Sequence, residues 1–355
     1  MNGPVHSLTS LGWSHFFRQQ LELDELEKLV PARVFALHGQ LLDIISEAGR
    51  ELVSLPGTWK HVEPEDLPTV GDWLLVDPGN YQPVRLLKRK SLFKRMASGR
   101  DVKIQLLSAN VDTLFIVTSC NNDFNLSRLE RYLALALDAR VEPVLVLTNV
   151  DLCDDVDFYI YEARSLRSGL IVEMVNSKDA QSVANLRSWC GTGQTAALVG
   201  SSGVGKSTII NSLIGDAVQA TGDIRETDEK GRHTTTARSL HFLPSGGLLL
   251  DSPGMRELQL GDCEAGIAEV FDEVEAVARQ CKFRDCRHEG EKGCAIEKAL
   301  ENDELDPRRV ENYLKLLAEQ ERMNESLVEK RRKDKVFGKM VKSAMAVKKR
   351  GLDQD

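Results

Sequence analysis

The stretch that most constrains the fold is GSSGVGKST, residues 200–208. It matches Gly-x4-Gly-Lys-Ser, a phosphate-binding loop whose glycines let backbone N–H groups turn toward phosphate oxygens. An apolar strand, TAALVG, precedes it and a helical stretch, KSTIINSLIG, follows it, as the pattern requires. We expect Lys206 to reach the β- and γ-phosphates and Ser207 to bind Mg²⁺, at the positive end of the helix dipole. The residues predicted to hold the nucleotide phosphates are Gly200, Ser201, Ser202, Gly203, Val204, Gly205, Lys206, Ser207 and Thr208.

A second nucleotide signal lies downstream, in LLLDSPG at 248–254. In P-loop nucleotidases an Asp at such a strand end holds Mg²⁺ and the following Gly contacts the γ-phosphate. Asp-x-x-Gly alone is also a common turn, but after a complete phosphate loop it predicts these roles for Asp251 and Gly254. Between the two motifs, GRHTTT at 231–236 supplies hydroxyls for a switch loop. Thr235 is the predicted second Mg²⁺ ligand, and an ordinary polar loop is the alternative.

The guanine-recognition pattern Asn-Lys-x-Asp does not occur downstream of these motifs. The nearest match lies upstream in VLVLTNVDLC, where an apolar run ends in Thr148, Asn149, Val150 and Asp151. One strand later, NSK places Ser177 and Lys178 in the position of the companion loop. The order base loop, companion loop, phosphate loop, switch loop, Asp-x-Pro-Gly is a circular permutation, which leaves strand neighbours in a sheet unchanged. A strand end unrelated to nucleotide is the alternative.

A compact metal-binding pattern occurs in CKFRDCRHEGEKGC. Three thiolates and one imidazole make a closed tetrahedral Zn²⁺ site of the structural kind, because no ligand position is left open for water. Free thiols on a helix surface are the alternative. The predicted ligands are Cys281, Cys286, His288 and Cys294.

The pattern of apolar runs predicts a multidomain α/β protein. Beyond about residue 105, apolar strands such as VDTLFIVTS and VEPVLVLTN alternate with helical stretches, which indicates a parallel sheet covered on both faces. Before it, RVFAL, QLLDII, ELVSL, DWLLV and VRLLKR are five short candidate strands, typical of an oligonucleotide/oligosaccharide-binding (OB) barrel or another small β-barrel. The predicted domains are an N-terminal helical extension (1–30), an OB-fold barrel (31–98), a circularly permuted P-loop GTPase domain (105–262), a zinc-binding helical domain (263–328) and a basic C-terminal tail (329–355).

Charge is distributed unevenly along the chain, whose net charge is −8. Residues 329–350 carry ten Lys or Arg against two acidic residues, and residues 85–103 carry eight against one. Such segments fit basic contact patches on an acidic body, or else a solvated helix face and a disordered tail. No apolar run is long enough for a membrane span, and the first 30 residues lack the basic start and apolar stretch of a secretory signal. With cysteines clustered as metal ligands, a reducing cytoplasm is the expected compartment.

These motifs, in this order, resemble the RsgA or YjeQ family of small-ribosomal-subunit biogenesis GTPases. The resemblance runs from about residue 31 to 330 and includes VGDWLLVD, SANVDTLFIVTS, SRLERYLALA, SGVGKSTIINSL, GRHTTTARSL, DSPGMREL and the zinc cluster. It implies hydrolysis of GTP to GDP and phosphate, stimulated by the small (30S) subunit, with Mg²⁺ bound beside the nucleotide. It also implies one structural zinc ion and release of the protein late in subunit maturation. Ribosomal RNA becomes the expected partner of the barrel and the tail, and the protein is expected to be a monomer.

Two departures from the family's pattern stand out. Thr148 and Asn149 occupy the positions of the Asn that braces the base loop and the Lys that covers the base, while Asp151 keeps the guanine-selecting carboxylate. Met255 follows Asp-x-Pro-Gly, and its apolar side chain cannot orient a water molecule. His233, which the family's pattern also contains, is therefore the predicted catalytic residue together with Lys206.

Two other functions stay open at this point. An RNA-binding assembly factor could use nucleotide only as a weak switch, because the base loop is altered. A P-loop ATPase or small-molecule kinase is more distant, because it has little use for a zinc cluster or a basic tail.

Overall fold

The computed structural model describes residues 6–97, 103–176, 178–215, 238–251 and 263–324. Five of the predicted features lie outside these ranges: Ser177, His233, Thr235, Gly254 and the tail 329–355. Within these ranges, no helix is both long and apolar enough to cross a lipid bilayer.

The chain begins with two short helices, α1 (His15–Arg18) and α2 (Leu23–Lys28). A capping box starts α2, because the side chains of Glu22 and Glu25 each accept a backbone N–H of the other. Aromatic side chains dock this extension: Trp13 meets Trp73 edge-on with ring centroids 4.8 Å apart, and Phe17 packs beside them. The extension is therefore part of the hydrophobic core.

Five antiparallel strands follow, one for each apolar run predicted in this part of the chain. They are β1 (Val30–His38), β2 (Leu41–Ser46), β3 (Gly49–Ser54), β4 (Trp73–Val76) and β5 (Pro83–Leu86). The strand pairs are β1–β2, β2–β3, β1–β4 and β4–β5, which is consistent with a five-stranded OB-type barrel. Alternate residues of β1, β2 and β4, such as Val34, Ile44 and Leu74, fill its interior.

An antiparallel pair, β6 (Leu92–Ala97) and β7 (Lys103–Ala109), connects the barrel to the second domain. Strand β6 lies within the segment predicted as a basic patch, residues 85–103, and β7 starts at its last residue. The structure pairs several cations of this segment with acidic groups: Arg85 with Glu25 at 2.9 Å, Arg89 with Asp72 at 2.8 Å, and Lys90 with Asp112 and Lys94 with Glu65 at 3.9 Å each. Four of the eight basic residues of 85–103 therefore have an acidic partner within the protein.

The second domain is the predicted α/β unit. Its elements are β8 (Thr113–Ser119), α3 (Leu126–Asp138), β9 (Glu142–Thr148), α4 (Val156–Ser165), β10 (Ile171–Val175), α5 (Ala180–Ala184), β11 (Thr195–Val199), α6 (Lys206–Ile214), β12 (Ser239–Phe242) and β13 (Leu248–Asp251). The strand order is β10-β9-β8-β11-β13-β12, with every pair parallel except β13–β12. All seven residues of β8 are buried, as expected for a strand covered on both faces. Since the strands are parallel, the carboxyl ends of β8, β9, β11 and β13 lie along one edge.

A buried arginine connects the N-terminal extension, the barrel and the second domain. Arg33 on β1 donates to the carbonyls of Leu11, Gly71 and Asn110 and to Oγ1 of Thr195 at 2.9 Å. Burial lowers its pKa to about 10, which nearby carboxylates oppose, so the guanidinium stays charged at neutral pH. These bonds link the N-terminal extension, the barrel and the first residue of β11.

The C-terminal helices are α7 (Glu264–Val270), α8 (Asp272–Ala278), α9 (Ala295–Glu301) and α10, which covers residues 307–324. Helix α10 docks on α3 through Glu130, a fully buried carboxylate. Glu130 accepts from Arg308 at 2.9 Å, from Arg309 at 3.1 Å and from Asn312 at 2.5 Å. A buried carboxylate satisfied by two guanidinium groups fixes α10 against the α/β domain.

Candidate nucleotide site and metal centre

The phosphate loop leaves β11 at the carboxyl edge of the sheet and ends in α6. Its first glycine is a packing requirement: a Cβ at Gly200 would lie 2.1 Å from the carbonyl oxygen of Val117 on β8. Gly203 and Gly205 have φ values of +85° and +93°, which L side chains rarely adopt. The glycine spacing therefore reflects both close approach to the neighbouring strand and the loop conformation.

An open cavity of about 350 Å³ lies over this loop. The ammonium of Lys206 folds back onto the loop and donates to the carbonyl oxygens of Gly200, at 2.7 Å, and of Ser201. Val204 is the one residue of 200–208 that does not line the cavity, because its side chain is buried in the core. The lining residues are Gly200, Ser201, Ser202, Gly203, Gly205, Lys206, Ser207 and Thr208.

The predicted base loop lies directly beside the phosphate loop. Thr148 ends β9 and is fully buried, with its Oγ1 2.8 Å from the carbonyl oxygen of Val204 and 3.2 Å from that of Thr118. Fifty-six residues separate Thr148 from Val204 in the chain. The two predicted loops, far apart in the chain, are therefore in hydrogen-bonding contact, through a Thr at the position where the family's pattern has an Asn.

Asn149 makes a second contact between strand ends. Its backbone is left-handed (φ +57°), and its amide donates to Oγ of Ser119, at the end of β8, at 2.7 Å. Val150 and Asp151 follow in a short 3-10 turn, and the Asp151 carboxylate is exposed to solvent. Sequence reasoning missed Thr118 and Ser119. The signal was available, since β8 also ends in hydroxyl side chains at the edge where β9 ends.

Of the remaining residues predicted to bind the nucleotide, the structure describes Lys178 and Asp251. Lys178 is exposed, and its backbone N–H donates to the side chain of Asn176 at 3.0 Å, just beyond β10. Asp251 is the last residue of β13, half-buried, and that strand pairs with β11 at the foot of the phosphate loop. The hydroxyl of Ser207 and the carboxylate of Asp251 are oxygen donors of the type that Mg²⁺ prefers.

The four predicted metal ligands converge between α8 and α9. The ligand atoms of Cys281, Cys286, His288 and Cys294 all lie within 4.8 Å of one another. Nδ1 of His288 is 3.6 Å from Sγ of Cys281 and 3.4 Å from Sγ of Cys294. Four ligand atoms at about 2.0–2.3 Å from a tetrahedral metal ion are separated from one another by distances of roughly this size, so the cluster could hold a metal ion. The four groups form one cluster and are not dispersed thiols on a helix surface.

Backbone groups around the cluster favour a thiolate. The N–H of Ala295, at the start of α9, donates to Sγ of Cys281 at 3.2 Å. Burial alone would raise the pKa of Cys281, but hydrogen bonds from the backbone of Ala295 and Ile296 and from the neighbouring thiols bring it below its ordinary value. A lowered thiol pKa favours metal binding, because the thiolate is the ligand form.

Comparison with known proteins identifies several similar chains. The RsgA GTPase family model matches residues 86–261. The "Small ribosomal subunit biogenesis GTPase RsgA 2" of Vibrio parahaemolyticus is 51% identical over 343 residues, which are 97% of this chain and 94% of that protein. The "Small ribosomal subunit biogenesis GTPase RsgA" of Mesorhizobium japonicum is 48% identical over 313 residues, covering 87% and 89% of the two chains.

Solved structures show the same architecture. YjeQ from Thermotoga maritima superposes with a TM-score of 0.60 at 26% identity, over 82% of this chain and 98% of that one. YloQ, described as a circularly permuted GTPase, superposes with a TM-score of 0.57 at 23% identity, over 82% and 94%. The predicted permuted arrangement of the α/β domain is thereby confirmed.

Proposed function

The chain belongs to the RsgA family of GTPases, and we propose that it binds the small (30S) ribosomal subunit, assists its late maturation and hydrolyses GTP to GDP and phosphate. The observation that carries this proposal is the hydrogen bond from Thr148 to Val204, which unites base loop and phosphate loop at one sheet edge. A base-selecting carboxylate and a phosphate cradle on adjoining loops suit a guanine nucleotide.

The proposed roles follow from the motifs and, where the structure describes the residue, from its position. Backbone N–H groups of residues 200–208 and the ammonium of Lys206 bind the phosphates, Asp151 accepts from the guanine base, and Ser177 and Lys178 form the companion loop. Ser207, Thr235 and Asp251 would hold Mg²⁺, and Gly254 would contact the γ-phosphate. When bound, Mg²⁺ supplies neutralisation of charge on the phosphate oxygens. His233 orients the attacking water, because Met255 offers no hydrogen bond.

We propose that the Cys/His cluster binds one Zn²⁺ ion in a structural role. Its four protein ligands leave no open position for substrate or water, which distinguishes it from a catalytic zinc site. The ligands lie in the connection between α8 and α9, so the metal would order this connection. Metal binding of this kind contributes directly to the folding free energy.

Ribosomal RNA is the proposed partner of the basic tail. Since much of the positive charge of residues 85–103 is paired internally, the tail 329–355 is the stronger candidate for contacts with RNA phosphates. The proposal includes a monomeric protein in a reducing cytoplasm, in keeping with seven free cysteines.

The test is the GTP hydrolysis rate of the full chain with and without purified 30S subunits. We expect clear stimulation by 30S subunits and none by 50S subunits, and loss of hydrolysis in Lys206→Ala. Asp151→Asn should lose selectivity for GDP and accept XDP, because an amide can donate to the additional carbonyl of xanthine. Binding to 30S subunits without stimulated hydrolysis would instead favour the RNA-binding assembly factor with a weak nucleotide switch. Equal competition by ATP would favour an ATPase or a kinase.

A further inference from the structure

Helix α4 presents an aromatic surface that has no part in the proposed nucleotide site. Ile160 packs against the core and Ala163 is fully buried, so these two residues mark the inner face of the helix. On the outer face, Phe158 is 52% exposed and Tyr161 is 72% exposed, and the two lie one turn apart. Leu152, in the short turn that precedes the helix, is 69% exposed. A group of exposed apolar side chains, unlike a single one, marks an interaction surface.

The same surface is strongly acidic. Residues 151–162 contain five acidic residues and no Lys or Arg. Asp157 lies one turn before Tyr161, and Glu162 lies one turn after Phe158, so carboxylates border the aromatic rings. Within the described ranges, none of the five carboxylates forms an ion pair. These side chains form what we call the α4 surface, which fits an occupant that is both apolar and positively charged and which repels RNA phosphates. Its acidic residues are Asp151, Asp154, Asp155, Asp157 and Glu162.

The chain itself contains a segment of that chemistry, in its basic tail. Residues 329–350 carry ten Lys or Arg against two acidic residues. Within them, apolar residues recur in pairs every four positions, a spacing that in a helix gives one apolar stripe. Lys339 and Lys342 fall on the side opposite that stripe, which is the pattern of a basic amphipathic segment. The paired apolar residues are Val336, Phe337, Met340, Val341, Ala344 and Met345.

The tail is attached close enough to reach the α4 surface. Near the start of α10, Arg309 donates to the carbonyl oxygen of Leu166, just beyond the end of α4, at 3.2 Å. From Arg309 to residue 324 the helix is about 23 Å long, and from Leu166 back to Tyr161 it is about 8 Å. Even laid end to end with the Arg309 side chain, these lengths place residue 324 within about 40 Å of Tyr161. The twelve residues 325–336 span roughly 40 Å when extended, and such a tether gives an effective concentration of roughly millimolar order.

We propose that the basic tail docks on the α4 surface of its own chain when no RNA is bound. Its apolar stripe covers Phe158 and Tyr161, and its lysines lie beside Asp154 and Asp157. RNA phosphates and these carboxylates compete for the same cations, so RNA must displace the tail before the tail can contribute to binding. A tail that is docked about nine-tenths of the time binds RNA about tenfold more weakly than a free one. The competition rests on the proposed function, because it takes RNA as the partner of the tail, whereas the docking itself does not.

The test is carbodiimide crosslinking of the full-length protein, which joins a lysine amine to a carboxylate only where the two are in contact. Wild type is compared with the double variant Phe158→Ala/Tyr161→Ala and with Leu52→Ala as matched control, because Leu52 on β3 is an apolar side chain that is 57% exposed. Linked peptides are identified by mass spectrometry. A mixture of unlabelled and ¹⁵N-labelled protein separates links within one chain from links between copies. Fluorescence anisotropy measures the affinity of each protein for a single-stranded RNA oligonucleotide, and circular dichroism verifies that each is folded.

We expect links from Lys339 or Lys342 to Asp154 or Asp157, within one chain, in wild type and in Leu52→Ala. Excess RNA should remove them, and the double variant should lack them and bind RNA about tenfold more tightly than wild type. Absence of these links in folded wild type would overturn the proposal, as would their persistence in the double variant. Links between copies would also overturn it, because the occupant would then be a second chain. If the links behave as expected but RNA neither removes them nor binds the double variant more tightly, docking stands and the proposed role of the tail in RNA binding fails.

Discussion

Replacing Thr148 by Val tests whether the hydroxyl at the end of β9 braces the phosphate loop. A hydroxyl has one proton, and the 2.8 Å contact with the carbonyl oxygen of Val204 is the better of its two acceptors. Valine keeps the branched shape but leaves that carbonyl without its partner at a fully buried position. Loss of a buried hydrogen bond that leaves an unsatisfied acceptor costs about 1–3 kcal/mol of unfolding free energy.

Nucleotide affinity should fall in the same variant. Val204 lies between Gly203 and Gly205, so its peptide can rotate once the anchoring hydrogen bond is lost, and the N–H groups that face the phosphates lose their fixed orientation. If the less ordered loop lowers the binding free energy of GDP by about 1 kcal/mol, the dissociation constant for GDP rises roughly fivefold. Thr148→Ser keeps the hydroxyl and should restore most of the affinity.

The chain offers a matched control in Thr118, the threonine at the end of the adjacent strand. Its Oγ1 is buried and has no hydrogen-bond partner in the described ranges, so Thr118→Val removes a hydroxyl that stabilises nothing there. Urea unfolding and calorimetric GDP titration should therefore separate the two variants, with Thr118→Val at or above wild-type stability. If both variants behave alike, the brace does not exist. If only stability falls in Thr148→Val, the brace does not act on the phosphate loop.

Three further outcomes follow from the proposed roles. His233→Ala should slow 30S-stimulated hydrolysis by about 10²-fold or more while mant-GDP affinity stays near wild type; an unchanged rate would assign water positioning to another group. Cys286→Ala should lose stoichiometric zinc by elemental analysis and lose 30S binding, yet keep GDP binding; retained zinc would contradict the ligand assignment. Deleting 329–355 should reduce 30S affinity and flatten its dependence on salt, without altering intrinsic GTPase; an unaltered salt slope would place the RNA contacts elsewhere.

The parts of the fold that were predictable are those whose signal is local or topological. Each of the five predicted barrel runs lies in a strand, because a short apolar run bounded by turn residues is a local signal. The contact between base loop and phosphate loop was predictable at long range because parallel strands end at one edge. Ser119 of β8 pairs with Thr148 of β9, which brings the polar ends of these two neighbouring strands together.

Other features depend on pairings that no local pattern encodes. Glu130 on α3 lies 178 residues before Arg308, and its sequence context is an ordinary amphipathic helix. In the sequence, residues 85–103 resemble an RNA-binding patch because few acidic residues lie among them. The acidic partners that the fold supplies, such as Glu25 and Asp112, lie outside this segment. The hydrogen bond from Thr148 to Val204 was also not predicted. In the sequence, a Thr in place of the family's Asn suggests a weakened loop, and only the fold shows that the carbonyl oxygen of Val204 lies within reach of its hydroxyl.

The permuted order has a mechanical consequence at the end of β13. That strand ends at Asp251, and residues 252–262 lead directly to Cys263, whose N–H donates to Oε1 of Gln320 on α10 at 3.0 Å. Helix α7 then packs so closely on α3 that a Cβ at Gly266 would lie 1.9 Å from the carbonyl oxygen of Ala134. The segment proposed to contact the γ-phosphate is therefore tethered at its far end to the helices that carry the Cys/His cluster. A chain cut in the usual order would continue from this segment into another strand of the same sheet. Because β13 is the last strand of the described ranges, the chain passes from this edge of the sheet to helix α7 and its contact with α3, and not to another strand.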